Sequence, residues 1–371
     1  MKVAIVGGGG VGSAAARHLA KEGHEVTVFE RFTADHDQGS SFGESRVTRK
    51  TYPDALLTEL MTAAYPLWDE LQDEAGENLF VRAGGLYFGR RDHPHLQMIC
   101  DALARYGVPF ERFEAKEANA RFPGFRLKDG EIGVCQADTG FLRASACVRA
   151  NLRLAQKHGA ELRENTQVLD FVPDGDGFRV LTDAGDTPAD RVVLTAGPWL
   201  GRFLTHLPLK VTRQQYVYLK PARYPERFQA GTFPVWIEAQ DPKGLEMYGF
   251  PMDGRVDGVK LAQHAIGPVT DPDAVDRNLD PRIATALRAY AAERMPDLSG
   301  EITYSKTCLY TVTPDRVFLI DEAPGKPGAV YVGGLCGEGF KFTVLFGKIA
   351  ADLVLGRKPR WELSRFRASR L

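Results

Sequence analysis

Three glycines and one acid near the start of the sequence have the spacing of a dinucleotide-binding turn. The motif Gly7-x-Gly9-x-x-Gly12 follows an apolar run at residues 2–6 and precedes an alanine-rich segment, and a second apolar run ends on Glu30. Glycines at such a turn let the backbone approach a pyrophosphate at the start of a helix, and a carboxylate after the second strand can bind ribose hydroxyls. The order strand, glycine turn, helix, strand, acid therefore predicts a Rossmann-like βαβ unit for FAD or NAD, which share the same adenosine diphosphate.

A second segment with candidate binding residues is the small, polar stretch at residues 39–49. It contains three serines and ends with Arg46 and Arg49. In a nucleotide-binding protein a Gly/Ser loop at this place can pack against a phosphate or a cofactor ring. The two arginines would share one face if the segment is helical. The alternative, on these residues alone, is a solvated basic turn.

Further candidates lie on strand-like segments later in the chain. Lys260 and His264 fall on one side of the segment 258–264, because the side chains of a strand alternate between its faces. Gly197 follows an apolar run and would allow the backbone to approach a ligand closely. Cys308 taken by itself would usually be an inert core residue of a strand.

Composition limits the classes of protein that this chain can be. Its 371 residues suffice for two domains, and the contents of 44% hydrophobic and 26% charged residues are ordinary for a soluble globular protein. A net charge of −1 gives no general attraction to nucleic acid or to anionic membranes. The five cysteines are widely spaced without a CxxC pair, which disfavours a disulfide framework or a zinc site. We therefore expect a soluble, cytoplasmic protein with no metal and with no nucleic-acid or membrane partner.

Hydrophobic periodicity predicts an α/β architecture with two domains whose segments alternate along the chain. Helices are predicted at residues 13–21, 56–72, 94–106, 144–158, 280–295 and 343–355, and residues 177–182 and 191–196 are predicted to form a hairpin. Residues 1–80, 144–209 and 316–371 are assigned to the Rossmann-like domain, which a late strand-loop-helix would complete. Residues 81–143 and 210–315 are assigned to an α+β substrate domain with a mainly antiparallel sheet.

Four separated stretches share the pattern of one known family. They are Gly7-x-Gly9-x-x-Gly12, Gly39-Ser40-Ser41-x-Gly43-x-x-Arg46-x-x-Arg49, residues 306–315 around Cys308, and Gly337-x-Gly339-Phe340-Lys341-Phe342. They resemble monomeric sarcosine oxidase and N-methyltryptophan oxidase, which belong to the D-amino-acid-oxidase-like flavoproteins, and the resemblance runs nearly end to end. It implies FAD rather than NAD, with the cofactor attached covalently through the sulfur of Cys308.

The resemblance also implies which residues bind the substrate. Arg49 and Lys341 would hold its carboxylate, a task that suits a bidentate guanidinium beside a compact ammonium. Tyr248 and Tyr310 resemble the aromatic walls of the family's substrate pocket.

The catalytic and cofactor-binding residues follow from the same resemblance. Lys260 would lie beside the flavin, where a positive charge favours the reduction of oxygen. His264, Arg46 and Tyr310 are the other predicted catalytic residues. The predicted cofactor-binding residues are Gly7, Gly9, Gly10, Val11, Gly12, Glu30, Arg31, Ser40, Ser41, Ser45, Arg46, Val168, Ala196, Gly197, Trp199, Cys308, Gly337, Gly339, Phe340 and Lys341.

Some positions depart from the family pattern and leave the substrate open. Phe42 and Glu338 stand where the family often has histidine, and Arg316 begins Arg-Val-Phe where Glu-His-Phe is familiar. We expect an FAD-dependent oxidase of a secondary amino acid, either N-methyl or cyclic, that oxidises the C–N bond to an imine and reduces O2 to hydrogen peroxide. The alternatives are a flavin dehydrogenase with another electron acceptor, a tRNA-modifying flavin oxidase and a non-catalytic flavin protein. Whether the protein is a monomer stays open.

Overall fold

The computed structural model describes residues 1–34, 36–241, 245–264 and 267–371. The helices are α1 (Gly10–Lys21), α2 (Ala55–Ala75), α3 (Pro94–Arg105), α4 (Ala115–Arg121), α5 (Ala144–Lys157), α6 (Leu200–Phe203), α7 (Pro281–Arg294) and α8 (Thr343–Val354). The strands are β1 (Lys2–Val6), β2 (Glu25–Phe29), β3 (Arg46–Thr48), β4 (Phe80–Arg82), β5 (Gly85–Arg90), β6 (Glu111–Glu114), β7 (Glu131–Gln136), β8 (Gly140–Leu142), β9 (Glu161–Arg163), β10 (Val168–Asp174), β11 (Gly177–Thr182), β12 (Gly185–Ala189), β13 (Arg191–Leu194), β14 (Lys210–Pro221), β15 (Val235–Asp241), β16 (Leu245–Phe250), β17 (Val259–His264), β18 (Leu298–Val312), β19 (Leu319–Glu322) and β20 (Ala329–Gly333). Within these ranges no helix has both the length and the apolar character needed to cross a membrane.

A six-stranded sheet in the order β19-β20-β13-β1-β2-β9 carries the predicted βαβ unit. All of its strand pairs are parallel except β19 with β20. The central strands β1 and β13 are buried on both faces, which explains why their sequences are continuously apolar rather than alternating.

The predicted hairpin between residues 177–182 and 191–196 is wrong. β11 pairs instead with β10 and β12 in a separate three-stranded antiparallel sheet, and β13 pairs in parallel with β1. Val192, Val193 and Leu194 are each fully buried in that larger sheet. A run that is apolar on both faces gains more there than in a two-stranded ribbon that leaves one face to solvent.

The closing helix α8 packs on α1 and on the apolar side chains of the six-stranded sheet, so the C-terminal strand-loop-helix completes this layer as predicted. The two helices approach closely: a Cβ on Gly347 would lie only 2.5 Å from the Cβ of Ala14. Glycine at this crossing is therefore needed for the helix contact.

A second, eight-stranded sheet has the order β18-β14-β17-β16-β15-β5-β7-β6. It is antiparallel except where β15 runs parallel to β5, which confirms the predicted mainly antiparallel sheet. α7 covers one face, and its buried Arg294 forms ion pairs with Glu131 of β7 and Glu238 of β15.

The two large sheets take their strands from alternating parts of the chain, so the predicted interleaved architecture is correct. The predicted helices begin and end within three residues of the observed ones. The short helix α4, held by a capping box of Glu114 and Glu117, was not predicted. The domain boundaries given above remain predictions.

Candidate functional site

One continuous cavity of about 300 Å³ lies between the two large sheets. Its floor is the carboxyl ends of β1, β2, β13 and β20, and its opposite wall is built from β16, β17 and β18. Ligands of open parallel sheets bind at this edge of the sheet. The cavity is therefore the candidate site, and all but one of the predicted site residues line it. The exception is Gly12, which packs behind the turn.

The glycine turn is shaped in a way that no other residue type would allow. Gly7 has a φ of 97°, and a Cβ on it would lie 2.6 Å from the carbonyl oxygen of Thr195. A Cβ on Gly12 would lie 1.9 Å from the carbonyl oxygen of Gly7. The turn leads directly into α1. The backbone N–H of its first residue, Gly10, donates to Ser41, and the N–H groups that follow it lie at the helix N-terminus, where an anion can bind.

Glu30 lies beside this turn at the end of β2. Its side chain is buried and accepts backbone N–H groups of Gly8 and Phe32, each at 3.0 Å. These bonds fix the carboxylate at the cavity wall, where it can also accept ribose hydroxyls. Three features of this region fit the adenosine diphosphate half of FAD. They are the space that a Cβ on the glycine turn would occupy, the N-terminus of α1 and the fixed carboxylate of Glu30.

Three residues that line the cavity, Arg31, Trp199 and Arg202, are held by an acid that the sequence did not indicate. Asp273 accepts hydrogen bonds from Arg31 at 2.8 Å and from the indole of Trp199 at 2.7 Å, and it also pairs with Arg202. The guanidinium of Arg31 in turn lies 5.6 Å from the centre of the Trp199 ring. The predicted cofactor residues Arg31 and Trp199 are therefore tied to a segment that follows β17.

The segment of residues 39–49 is a loop and a short strand, so the two arginines do not share a helix face. Ser41 Oγ accepts the backbone N–H of Gly10 at 3.0 Å, and Ser40 Oγ donates to the carbonyl of Leu309 at 2.6 Å. Arg46 donates to the carbonyl oxygens of Ser45 and Ser40 at 3.0 and 3.2 Å. The loop therefore joins the glycine turn to β18, the strand that carries Cys308.

Cys308 is buried in a small apolar cluster with Phe42 and Tyr310. Burial raises the pKa of its thiol, while the positive charges of Arg46, Lys260 and Arg277 act in the opposite direction. A thiolate at this position therefore depends on the neighbouring cations, of which Arg46 has the largest effect.

Lys260 is only 2% exposed, and its ammonium donates to the carbonyl oxygen and the hydroxyl of Ser45 at 3.0 and 3.1 Å. Its Nζ also lies 4.1 Å from the centre of the Tyr216 ring, a contact that favours the charged form. Burial and the neighbouring Arg46 nevertheless hold its pKa well below the usual value. Its charge is thus sensitive to any negative charge that arrives in the cavity.

His264 follows Lys260 by four residues on β17. Both side chains line the cavity, so they lie on the same face of the strand, as strand alternation predicted. Its Nδ1 lies 3.3 Å from Oη of Tyr310, and its Nε2 lies 3.3 Å from Nη2 of Arg316. A guanidinium can only donate, so Nε2 is the acceptor and the neutral ring carries its proton on Nδ1. Burial lowers the pKa of His264, which favours this neutral form.

Arg49 and Lys341, predicted to share one task, lie at the same end of the cavity and are 4% and 3% exposed. Burial lowers the pKa of Lys341 to about 7. Two carboxylates border them: Glu338 lies 3.8 Å from Arg49 and 3.9 Å from Lys341, and Glu246 lies 3.9 Å from Arg49.

Glu246 was not predicted as a site residue, although a signal for it was present. It precedes Tyr248 by two positions on β16, so strand alternation places both side chains on the face that lines the cavity. Its Oε1 accepts the hydroxyl of Tyr87 at 2.8 Å, which fixes the carboxylate next to Arg49.

Comparisons with known proteins agree with this geometry. A sequence profile described as "FAD dependent oxidoreductase" matches residues 2–353. The chain is 34% identical over 358 residues to "Monomeric sarcosine oxidase" of Streptomyces avermitilis, covering 95% of this chain and 93% of the relative. It is 31% identical to "N-methyl-L-tryptophan oxidase" of Salmonella dublin, covering 99% and 98%.

The fold has a solved counterpart as well. The open form of NikD, described as an unusual amino acid oxidase essential for nikkomycin biosynthesis, has a TM-score of 0.84 and 29% identity and covers 98% of this chain and 96% of its own. Because the family profile and both relatives span almost the whole chain, the protein is an enzyme that belongs to the FAD-dependent oxidoreductase family.

Proposed function

We propose that this enzyme oxidises a secondary amino acid, N-methyl or cyclic, to an imine and passes the electrons to O2 with release of hydrogen peroxide. The observation that carries the proposal is the pairing of buried Arg49 and Lys341 at one end of the cavity whose other end fits a dinucleotide. The names of the two relatives, oxidases of sarcosine and of N-methyltryptophan, support a secondary amine that bears a carboxylate.

Arg49 and Lys341 hold the substrate through its carboxylate in this proposal. Arg49 is fixed for the task, because its Nη1 donates to the carbonyl of Thr51 at 2.8 Å and its guanidinium lies 4.5 Å from the centre of the Tyr52 ring. Tyr248 and Tyr310 bound the space beside the clamp. Fixing the carboxylate orients the amine and its neighbouring carbon, and orientation of this kind can supply several of the ~7–11 kcal/mol available from proximity.

The bound FAD supplies the two-electron acceptor that none of the side chains provides. Its adenosine half is held by the glycine turn and Glu30, and Cys308 attaches it covalently. The charge of Arg46 near Cys308 supports attachment, because it favours the thiolate that forms such a bond. Arg46 also keeps positive charge at this part of the cavity.

Lys260 is assigned to the reaction with oxygen. Its buried amino group lies in the cavity wall between Ser45 and the Tyr216 ring, and in its protonated form it stabilises negative charge that develops on oxygen as it is reduced. His264 orients Tyr310 through the bond from Nδ1. We also propose a cytoplasmic location and the two interleaved domains bounded as in the sequence analysis.

The deciding experiment is a screen of N-methyl and cyclic amino acids for bleaching of the enzyme-bound flavin under nitrogen. Substrates that bleach it are then compared under air for peroxide release and under nitrogen for dye reduction. We expect peroxide formation to match substrate consumption. Bleaching by no amino acid in the screen contradicts the proposal, and fast dye reduction without peroxide indicates a dehydrogenase instead.

A further inference from the structure

The side-chain carboxylate of Glu338 lies next to Arg49 and Lys341, the two residues that are proposed to bind the carboxylate of the substrate. Its Oε2 lies 3.8 Å from Nη2 of Arg49 and 3.9 Å from Nζ of Lys341, and its Oε1 lies 3.8 Å from Nε2 of His264. Glu246 adds a second carboxylate oxygen 3.9 Å from the same Nη2 of Arg49. Both acids line the cavity.

These charged groups do not satisfy one another by hydrogen bonding. Charge-assisted N–H···O bonds span about 2.7–2.9 Å, so the separations above leave room between the partners. Lys341 is 3% exposed, and among the described residues the buried Nε of Arg49 has no hydrogen-bond partner. Buried polar groups are normally paired, so unpaired ones that border a cavity point to a ligand.

The charges at this end of the cavity do not favour a ligand that is only an anion. Although burial opposes it, the positive charges of Lys341, Arg49 and Arg316 hold the pKa of Glu338 below its usual value, so the acid stays ionised. Lys341 is only partly charged near neutral pH, because burial lowers its pKa to about 7. A simple carboxylate would thus add a third negative group close to two carboxylates, and like charges at such distances repel strongly in a buried site.

We propose that the substrate is a secondary amino acid with a second cationic group, an ammonium or a guanidinium, on its side chain. Arg49 and Lys341 hold its carboxylate, while Glu338 and Glu246 bind the extra cation. The inference rests on the proposed function and adds the class of side chain that the site accepts.

Measuring the affinity for analogues that cannot be oxidised tests the inference independently of catalysis. The probes are ether analogues of Nα-methyllysine and N-methylnorleucine in which oxygen replaces the α-nitrogen, so that no imine can form. The first carries the side-chain ammonium and the second lacks it. Calorimetry on the FAD-loaded enzyme should show the cationic ether binding tighter by on the order of tenfold. Equal affinity, or tighter binding of the uncharged ether, overturns the inference.

The variant Glu338→Gln keeps the side-chain shape and removes the charge. We expect the affinity ratio of the two ethers to fall toward one, chiefly because the cationic ether binds more weakly. Glu226→Gln, an exposed site outside the cavity, is the matched control and should keep the wild-type ratio. If Glu338→Gln strengthens both ethers equally, the acid only competes with ligand carboxylates, and the inference is wrong.

Anaerobic flavin bleaching by Nα-methyllysine and N-methylnorleucine separates this inference from the proposed function. Bleaching by the uncharged amine alone contradicts only the inference. Bleaching by neither of them, nor by any other secondary amino acid, contradicts the proposed function, and the ether affinities still decide whether the two acids select a cation.

Discussion

Nε2 of His264 lies 3.3 Å from Nη2 of Arg316, a residue with a φ of 59° in a turn after β18. This contact fixes the neutral ring with its proton on Nδ1, aimed at Tyr310. Burial is the largest influence that lowers the pKa of His264, and the charge of Arg316 lowers it further.

Arg316→Gln should therefore raise the pKa of His264, because it removes a neighbouring positive charge and keeps an N–H donor. Histidine NMR of the FAD-loaded enzyme would measure the shift, with the resonance identified by its loss in His264→Gln. If neutral His264 is the active form, the acidic limb of the kcat/KM profile should move to higher pH as well. Arg90→Gln, at an exposed site, is the control, and an unchanged His264 titration in Arg316→Gln would contradict the contact.

Binding of a carboxylate at Arg49 and Lys341 should weaken as the pH rises through the pKa of Lys341, which burial lowers to about 7. The protonated form holds the anion, and it is lost above that pH. Methoxyacetate has no amine of its own to titrate, so calorimetry with this ligand from about pH 6 to about pH 8 isolates the lysine. Lys341→Met should bind methoxyacetate weakly with little pH dependence; an equally steep dependence in that variant would assign the titration to another group.

Cys308→Ala should yield enzyme whose yellow colour is released by acid precipitation, whereas the wild-type colour should stay with the protein. Cys336 also lines the cavity, so Cys336→Ala is the matched control and should retain its colour. The covalent assignment is wrong if flavin leaves the wild type, or if Cys336→Ala is the variant that releases it.

Lys260→Met should slow reoxidation by O2 far more than reduction by substrate, because the lysine is assigned to charge that develops on oxygen. Removal of one such electrostatic group costs on the order of 10²–10³ in rate. Stopped-flow absorbance measures both half-reactions separately, and Lys348→Met on α8, outside the cavity, is the control. Equal slowing of the two half-reactions would remove the assigned role.

The buried ion pairs of Arg294 should contribute more to the free energy of unfolding than the exposed pair between Glu293, on the same helix, and Lys128. Arg294→Met leaves the carboxylates of Glu131 and Glu238, which are 8% and 6% exposed, without their cation. Loss of one partner of a buried pair costs about 3–5 kcal/mol, whereas exposed pairs contribute about 0–1 kcal/mol. Urea unfolding should show a clearly lower midpoint for Arg294→Met than for Lys128→Met, which breaks the exposed pair with Glu293.

Features set by neighbouring residues could be predicted from the sequence. The glycine turn and Glu30 follow from local backbone geometry, and the shared face of Lys260 and His264 follows from strand alternation. The same alternation would have placed Glu246 beside Tyr248 had it been applied to β16.

Features that depend on distant parts of the chain could not be predicted in this way. Asp273 meets Arg31 across 242 positions, and no local pattern signals that meeting. The hairpin prediction failed for a related reason. The sequence near β13 contains a plausible turn, but β13 pairs with β1 at the start of the sequence and with β20 more than 130 residues after it. The short strand β3 at Arg46 could not be predicted either, because its partner strand β8 begins only at residue 140.

The position of α8 on α1 makes the cofactor cavity depend on a late part of the sequence. A chain that lacks residues 322–371 lacks both β20 and the helix that covers α1. It also lacks the wall formed by Gly337 and Lys341. Truncation before β20 should therefore remove FAD binding together with the cover of the six-stranded sheet, even though the glycine turn and Glu30 are retained.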